Sequence, residues 1–196
     1  MEEKLEKFKN VSTLQNENSS QIILRPVGII KNKIKKPFLS AEDDGIKMQG
    51  NIDNFRTHIR EIHQEISEII INKDLIEILE DIEKYSHIMI LYWADKVPEQ
   101  SRSLTKVHPM GRKENPKVGI FSTCSPARPN PVLITVVRLH ERNKNVLYVT
   151  GLDAVNGSPV IDIKPFAREF YPQDKVRVPE WMEKIIKENQ ESGTSA

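Results

Sequence analysis

The sequence predicts a mostly β protein with added helices, an α+β fold built on an antiparallel sheet or a small barrel. Two observations lead there. Short runs rich in β-branched and aromatic residues follow one another through the second half of the chain, joined by short links. That arrangement favours antiparallel pairing over a doubly wound fold. Helical spacing occurs outside that series, before residue 83 and after residue 178. With 196 residues the chain has the length for one domain with a proper core.

In chain order, Leu5, Phe8 and Val11 stand at helical spacing and predict a short helix over 1–11, followed by a polar linker, STLQNENSSQ (12–21). The run IILRPVGII (22–30) predicts a strand with Pro26 at an edge or bulge, and residues 31–53 read as loop. Phe55, Ile59, Ile62, Ile66 and Ile69 predict an amphipathic helix over 54–70, capped by Asp53 or Asn54. A second helical piece spans Asp74 to Ile82. Strands are predicted at HIMILYW (87–93), VGIFST (118–123), VLITVVRL (132–139), VLYVTGL (146–152) and PVIDI (159–163). HERNKN reads as a hairpin-type link, and DAVNGS carries the turn signal Asn156-Gly157. Pro179 to Asn189 forms a closing helix with Pro in its first turn and Trp181, Ile185 and Ile186 for docking.

Composition narrows the function classes. The 29 Lys+Arg against 28 Asp+Glu leave no global positive field, although a local basic patch stays open. A single cysteine excludes an internal disulfide framework and fits a reducing compartment. The polar start carries no secretory signal, and no apolar run reaches the roughly 20 residues of a membrane helix. A cytoplasmic protein without a membrane span is expected. Neither glycine-rich phosphate signature is present. His58 and His63 do not share one helix face and the other histidines are scattered, so surface or capping roles are expected and no metal site.

Two stretches carry candidate chemistry. STCSPARPNP (122–131) holds three prolines, Cys124 and Arg128, and presents Ser125, Arg128 and Asn130. It reads either as an edge loop stiffened by proline or as a preorganised binding loop whose amides and Arg128 meet a charged or planar ligand. Cys124 is either a packing residue or a thiolate held near Arg128, with no histidine tied to it by spacing. GLDAVNGSPVIDIKPF (151–166) places Asp153, Asp162 and Lys164 around two strands. Asp162 and Lys164 alternate along a strand and share a face, as a surface ion pair or a functional one.

Taken together, YSHIMILYW (85–93), VHPMGR (107–112), VGIFSTCSPARPNP (118–131) and GLDAVNGSPVIDIKPF resemble the TsaA-like family of S-adenosylmethionine-dependent methyltransferases. The resemblance covers about residues 22–171, and GIKMQGN (45–51) looks like a weakened form of the family's Pro-Arg-Gln-Gly element. It implies a single small antiparallel β-barrel with helices outside and at the C-terminus. It also implies a homodimer that binds S-adenosylmethionine near the subunit interface and methylates N6 of N6-threonylcarbamoyladenosine beside the anticodon of tRNA. The chain then divides into an N-terminal extension with its polar linker (1–20), a barrel methyltransferase domain (21–172), and a C-terminal helix and tail (173–196).

Carried over residue by residue, the resemblance places cofactor contacts at Gln49, Gly50 and Asn51, at Asp95 and Lys96, at Cys124, Ser125 and Arg128, at Ile134, and at Gly151, Leu152 and Asp153. Cys124 stands where the family has arginine, and Leu133 where it has glycine. Asp162 is the candidate to accept the acceptor's proton or orient the base, with Lys164 pairing with it or meeting RNA phosphate. Arg128 would anchor the cofactor or the tRNA backbone. Lys96, Arg102, Lys106, Arg112, Lys113 and Lys117 could form a local RNA face. The segment 52–67 looks like extra helix that covers the pocket or builds a dimer contact. A module that binds S-adenosylmethionine without this activity, or a methyltransferase with another acceptor, are the alternatives.

Overall fold

Alternation of inward apolar and outward residues closes six strands on themselves. The computed structural model describes residues 22–42 and 45–191. The predicted helix over 1–11 lies outside those residues. The barrel strands are β1 (Gly28–Lys31), β4 (Ser67–Ile71), β5 (His87–Trp93), β8 (Val132–Asn143), β9 (Val146–Thr150) and β10 (Pro159–Pro165). They close in the order β1-β10-β5-β8-β9-β4, and every neighbouring pair is antiparallel. Ile69, Ile88, Ile90, Leu147, Val149 and Val160 point inward and are 0% exposed. Closure leaves no free strand edge in this sheet.

Around the barrel, among the described residues, lie two small antiparallel ribbons and two α-helices. β2 (Leu39–Glu42) pairs with β3 (Gly45–Met48), and β6 (Lys106–Val107) with β7 (Val118–Gly119). Helix α1 (Ile52–Gln64) precedes β4, and α2 (Glu180–Glu191) ends the described chain.

The structure corrects several sequence expectations. The helix expected over 54–70 stops at Gln64, and Ser67–Ile71 is a strand. The isoleucines that fitted a helical stripe are also a β-branched run, and β1 and β9 flank it with open backbone partners. The cap is Asn51, which accepts from the Asn54 amide while the Asn54 side chain accepts from the Asn51 amide. The strand expected over 22–30 is confined to Gly28–Lys31, beyond Pro26, which has no N–H to pair. Only Val118–Gly119 of the 118–123 run is strand, and Ile120–Ser122 turns as a 3₁₀ helix. The second helical piece is two 3₁₀ segments, Lys73–Leu79 and Ile82–Lys84, broken at Asp81 with φ 65. The presumed loop 31–53 contains the β2–β3 ribbon. β8 and β9 do form the expected hairpin, but β9 and β10 are not neighbours.

β1 closes the barrel, and Gly28 allows it. A Cβ at this position would run into the Ile70 carbonyl oxygen and come within 3.0 Å of the Ile71 Cα. Gly28→Ala should therefore lower stability by about 1–3 kcal/mol, read as a lower midpoint in chemical denaturation. An unchanged midpoint would mean that β1 backs away from β4 without cost.

Candidate functional site

A cavity of about 770 Å³ lies where the β5 and β8 strand ends, the 123–128 loop, the β2–β3 ribbon and both helices meet. Its wall is mostly apolar: Phe38, Phe55, Met110, Leu133, Trp181 and Met182 all line it. Two carboxylates, Asp95 and Asp153, break that wall.

The proline-rich loop forms one side through Thr123, Cys124, Ser125, Pro126 and Arg128. Arg128 holds its shape. Its Nε donates to the Ser125 carbonyl at 2.7 Å and its Nη2 to the Thr123 carbonyl at 2.6 Å. The Thr123 and Ser125 hydroxyls each accept from a backbone amide two residues on. Prolines and a side-chain staple thus fix one backbone shape before any ligand arrives. Cys124 is a free, exposed cysteine on this rim.

Asp95 follows β5. Its Oδ2 pairs with Lys96 Nζ at 2.9 Å, while Oδ1 is shut off from solvent without a hydrogen-bond partner. Asp153 is held from two directions. Its carbonyl accepts from the phenol of Tyr92, a barrel residue 3% exposed, and its Oδ1 lies 3.8 Å from Nε2 of His58 on α1. Burial pushes the Tyr92 phenol up to about 12, so it remains a donor at neutral pH. Asp153 raises the His58 pKa above its ordinary 6.5, against the opposing effect of burial. The ring of His58 stacks on Phe38 with centroids 5.3 Å apart.

Gln49, Gly50, Asn51, Gly151 and Leu152 fall outside the cavity lining. Gln49 donates to the Ser40 hydroxyl, Gly50 turns with φ 97, and Asn51 caps α1, so this trio sets where the helix starts. Gly151 donates its amide to Ile62 and Leu152 sits in the core at 1% exposure; together they lead the chain to Asp153. Ile134 does line the cavity and is 59% exposed.

Asp162 and Lys164 form an ion pair at 2.7 Å on the outer barrel surface and do not line the cavity. Register places Asp162, Leu91 and Ile134 in one row across β10, β5 and β8, and Lys164, Met89 and Val136 in the next. Directly opposed residues share a sheet face, so an apolar band continues outward from the cavity rim. Of the basic residues, Lys106, Lys113 and Lys117 are exposed and make no salt bridge among the described residues, whereas Arg112 pairs with Glu114 and Glu188. Arg102 lies over the Trp93 ring at 5.6 Å.

His58, Tyr92, Phe38 and Phe55 were missed as site residues. Phe55 was legible only as part of a helix stripe and Tyr92 as part of a strand; His58, expected in a surface or capping role, instead packs on Phe38 beside Asp153, because the docking of α1 turns it inward. Among the described residues, no three His, Cys, Asp or Glu side chains are grouped to hold a metal ion, and no helix is long and apolar enough to cross a membrane.

Comparison with known proteins decides the family. The tRNA-methyltransferase O N-terminal domain matches residues 56–171, more than half of the chain. The chain belongs to this family. An Archaeoglobus fulgidus relative, named S-adenosyl-L-methionine-binding protein, is 38% identical over 148 residues, covering 76% of this chain and 91% of that protein. A human relative, named tRNA (adenine(37)-N6)-methyltransferase, is 37% identical over 98 residues, half of this chain and 22% of that protein. The solved structure of TrmO from Pseudomonas aeruginosa shares the fold, with a TM-score of 0.56 at 22% identity. That match covers 80% of this chain and 61% of the other, so this chain spans about three-fifths of its length.

Helix α2 lies beyond the matched residues, yet Trp181, Met182 and Ile185 line the cavity. Glu188 anchors it: its carboxylate takes Arg112 Nη1 at 2.6 Å and its carbonyl takes Arg56 Nη2 at 3.0 Å. Arg112 holds the Glu188 carboxyl below its ordinary 4.5. The stabilisation is present above that ordinary value and is lost as pH falls through the lower folded one. Glu188→Gln should speed amide exchange along α2 and shift Trp181 emission to the red at neutral pH. Wild type should do so only in acid. Equal exchange in both proteins at neutral pH would show that the ion pair does not hold the helix.

Proposed function

We propose that this chain is an S-adenosylmethionine-dependent methyltransferase that acts on N6 of the N6-threonylcarbamoyl-modified adenine at position 37 of tRNA, the position printed in the name of its human relative. It works as a homodimer in the cytoplasm. The observation that carries the reading is the cavity itself: two carboxylates, one with a buried unpartnered oxygen, set in an aromatic and apolar wall. The residues fit the cofactor. A cationic sulfonium with an ammonium group calls for carboxylates, and a planar purine calls for aromatic and thioether surface. The volume lies within the range of small-molecule sites.

S-adenosylmethionine, when bound, supplies an electrophilic methyl group on a sulfonium centre. The work of the chain is to bind, orient and exclude water. The Arg128-stapled loop and Phe38, Phe55, Met182 and Trp181 shape the space. Asp153 supplies negative charge at the cavity wall, and Tyr92 holds its backbone. Asp95 Oδ1, which has no partner of its own, is open to an N–H of the ligand and can take up the proton that N6 loses on methylation. Asp162 lies in line with Ile134, and Lys164 with Val136, on the outer face. There the pair flanks the exposed apolar band of Ile134 and Val136, the surface we assign to the second copy. Lys106, Lys113 and Lys117 meet RNA phosphate. Gln49, Gly50 and Asn51 act by positioning α1.

One observation favours a second reading. The chain covers 91% of a relative named only for binding S-adenosylmethionine, but 22% of the one named as a tRNA methyltransferase. A binding module, or a transferase for another acceptor, follows if the missing length selects the RNA.

Incubation with S-adenosylmethionine and tRNA carrying threonylcarbamoyladenosine should add one methyl to that nucleoside by mass spectrometry. Cofactor binding without transfer would favour the second reading. Asp95→Asn should weaken S-adenosylmethionine binding about tenfold by calorimetry, since it removes a charged acceptor; unchanged affinity would remove Asp95 from the site. Charge reversal at Lys113 and Lys117 should weaken tRNA binding and reduce its salt slope by about one per lost phosphate contact. An unchanged slope would place the RNA on another face.

A further inference from the structure

We propose that His58 is a positioning residue for Asp153: in its charged form the imidazole holds the Asp153 carboxylate at the cavity wall, so that occupancy of the cavity by S-adenosylmethionine depends on pH. The inference rests on the cofactor reading above and adds a residue and a regulation to it.

The geometry isolates the pair. Tyr92 pins the Asp153 backbone through its carbonyl, which leaves the carboxylate as the part still free to turn. Among the described residues, His58, when protonated, is the group within ion-pair reach of the Asp153 carboxylate, with Nε2 3.8 Å from Oδ1. That separation is too long for a hydrogen bond and short enough for attraction between opposite charges. Nε2 is shut off from solvent and has no hydrogen-bond partner. A neutral imidazole would leave a buried polar atom unsatisfied there, and a charged one finds the carboxylate.

The ring cannot easily move away. One face stacks on Phe38, which also packs on Phe55 and lines the cavity. The helix start sets its height: the reciprocal Asn51–Asn54 cap places Phe55 and His58 on one side of α1, with buried Ile62 a turn further along. His58 itself is not in the cavity lining, so it acts through Asp153 and not on the ligand.

The charged groups that act on His58 are Asp153, from the loop after β9, and Glu61 along its own helix; Phe38 presents no charge. Both carboxylates favour the imidazolium, and burial opposes it. The sign follows. The folded pKa is raised, so the charged pair is complete below the ordinary value of 6.5 and is lost as pH rises through the raised one. Asp153 would be held at pH below the ordinary value and released once pH passes the raised one.

Two measurements on the full chain test this. The first needs no ligand. The His58 imidazole, followed by NMR, should titrate above an ordinary histidine in wild type and move down in Asp153→Asn. A titration indifferent to Asp153→Asn overturns the pairing. The second is calorimetric titration with S-adenosylmethionine at about pH 6 and about pH 8.5. Wild type should lose at least about fivefold in affinity between them. His58→Gln should start from a weaker value and lose less over the same interval, since only the ligand's own ammonium still titrates, and His58→Lys, a permanent cation, should bind more tightly than wild type at alkaline pH. Parallel profiles for wild type and His58→Gln overturn the regulation. No binding by wild type at either pH overturns the cofactor reading and the pH-linked occupancy with it, and an Asp153-dependent titration would then uphold only the pairing.

Discussion

Closure of the barrel through β1 is the constraint from which the site follows. β1 is four residues long, yet it hydrogen-bonds β4 along its whole length and meets β10 on the other side. Gly28 lets the β1 and β4 backbones approach closely enough for that seam. Once the sheet is closed, β5 has neighbours on both edges, and its inward residues Ile88, Ile90 and Tyr92 have one place to go. Tyr92 then lies where its phenol can reach the Asp153 carbonyl. The position of a cavity carboxylate is thus tied to strand register by a single buried hydroxyl, which burial keeps protonated.

Outside the barrel, the cavity wall depends on pieces that cannot fold alone. The β2–β3 ribbon has two strands, and α1 and α2 have 13 and 12 residues, lengths that are marginal in isolation. Packing and ion pairs hold them. Phe38 from the ribbon stacks on Phe55 and His58 of α1, and Arg56 of α1 reaches the Glu188 carbonyl of α2. Arg112 joins the same glutamate from the segment between β6 and β7. The wall that would shield a bound cofactor from water is therefore less firmly held than the barrel behind it, as local opening for ligand exchange requires.

Parts of this were open to reading from the chain. The strands at 87–93, 132–139 and 159–163 were legible because each is a short run rich in apolar and β-branched residues, which pack well on a pleated sheet. The rigidity of 122–131 was legible in its prolines, although the work of Arg128 was not. From sequence that arginine reads as a ligand anchor; in the structure two of its donors are committed to its own loop. Helix 54–70 failed at Ser67, because the continuous run Ile69-Ile70-Ile71 ends a helix stripe and makes a short buried strand equally well. Asp162 and Lys164 were correctly placed on one strand face, but alternation cannot say which side of a sheet faces a cavity.

By itself, the sequence determined the β-rich class, the outline of the strand series, the stiff loop and the family motifs, since these rest on local backbone preference and on residues close in the chain. Only the tertiary structure decided that Ser67–Ile71 is a strand, that β9 and β10 are not neighbours, and that His58, Tyr92 and Asp153 meet. Those three residues are separated by tens of positions and carry no spacing signal. Closure of the barrel and the docking of α1 bring them together, and such long-range packing is invisible to any pattern read along the chain.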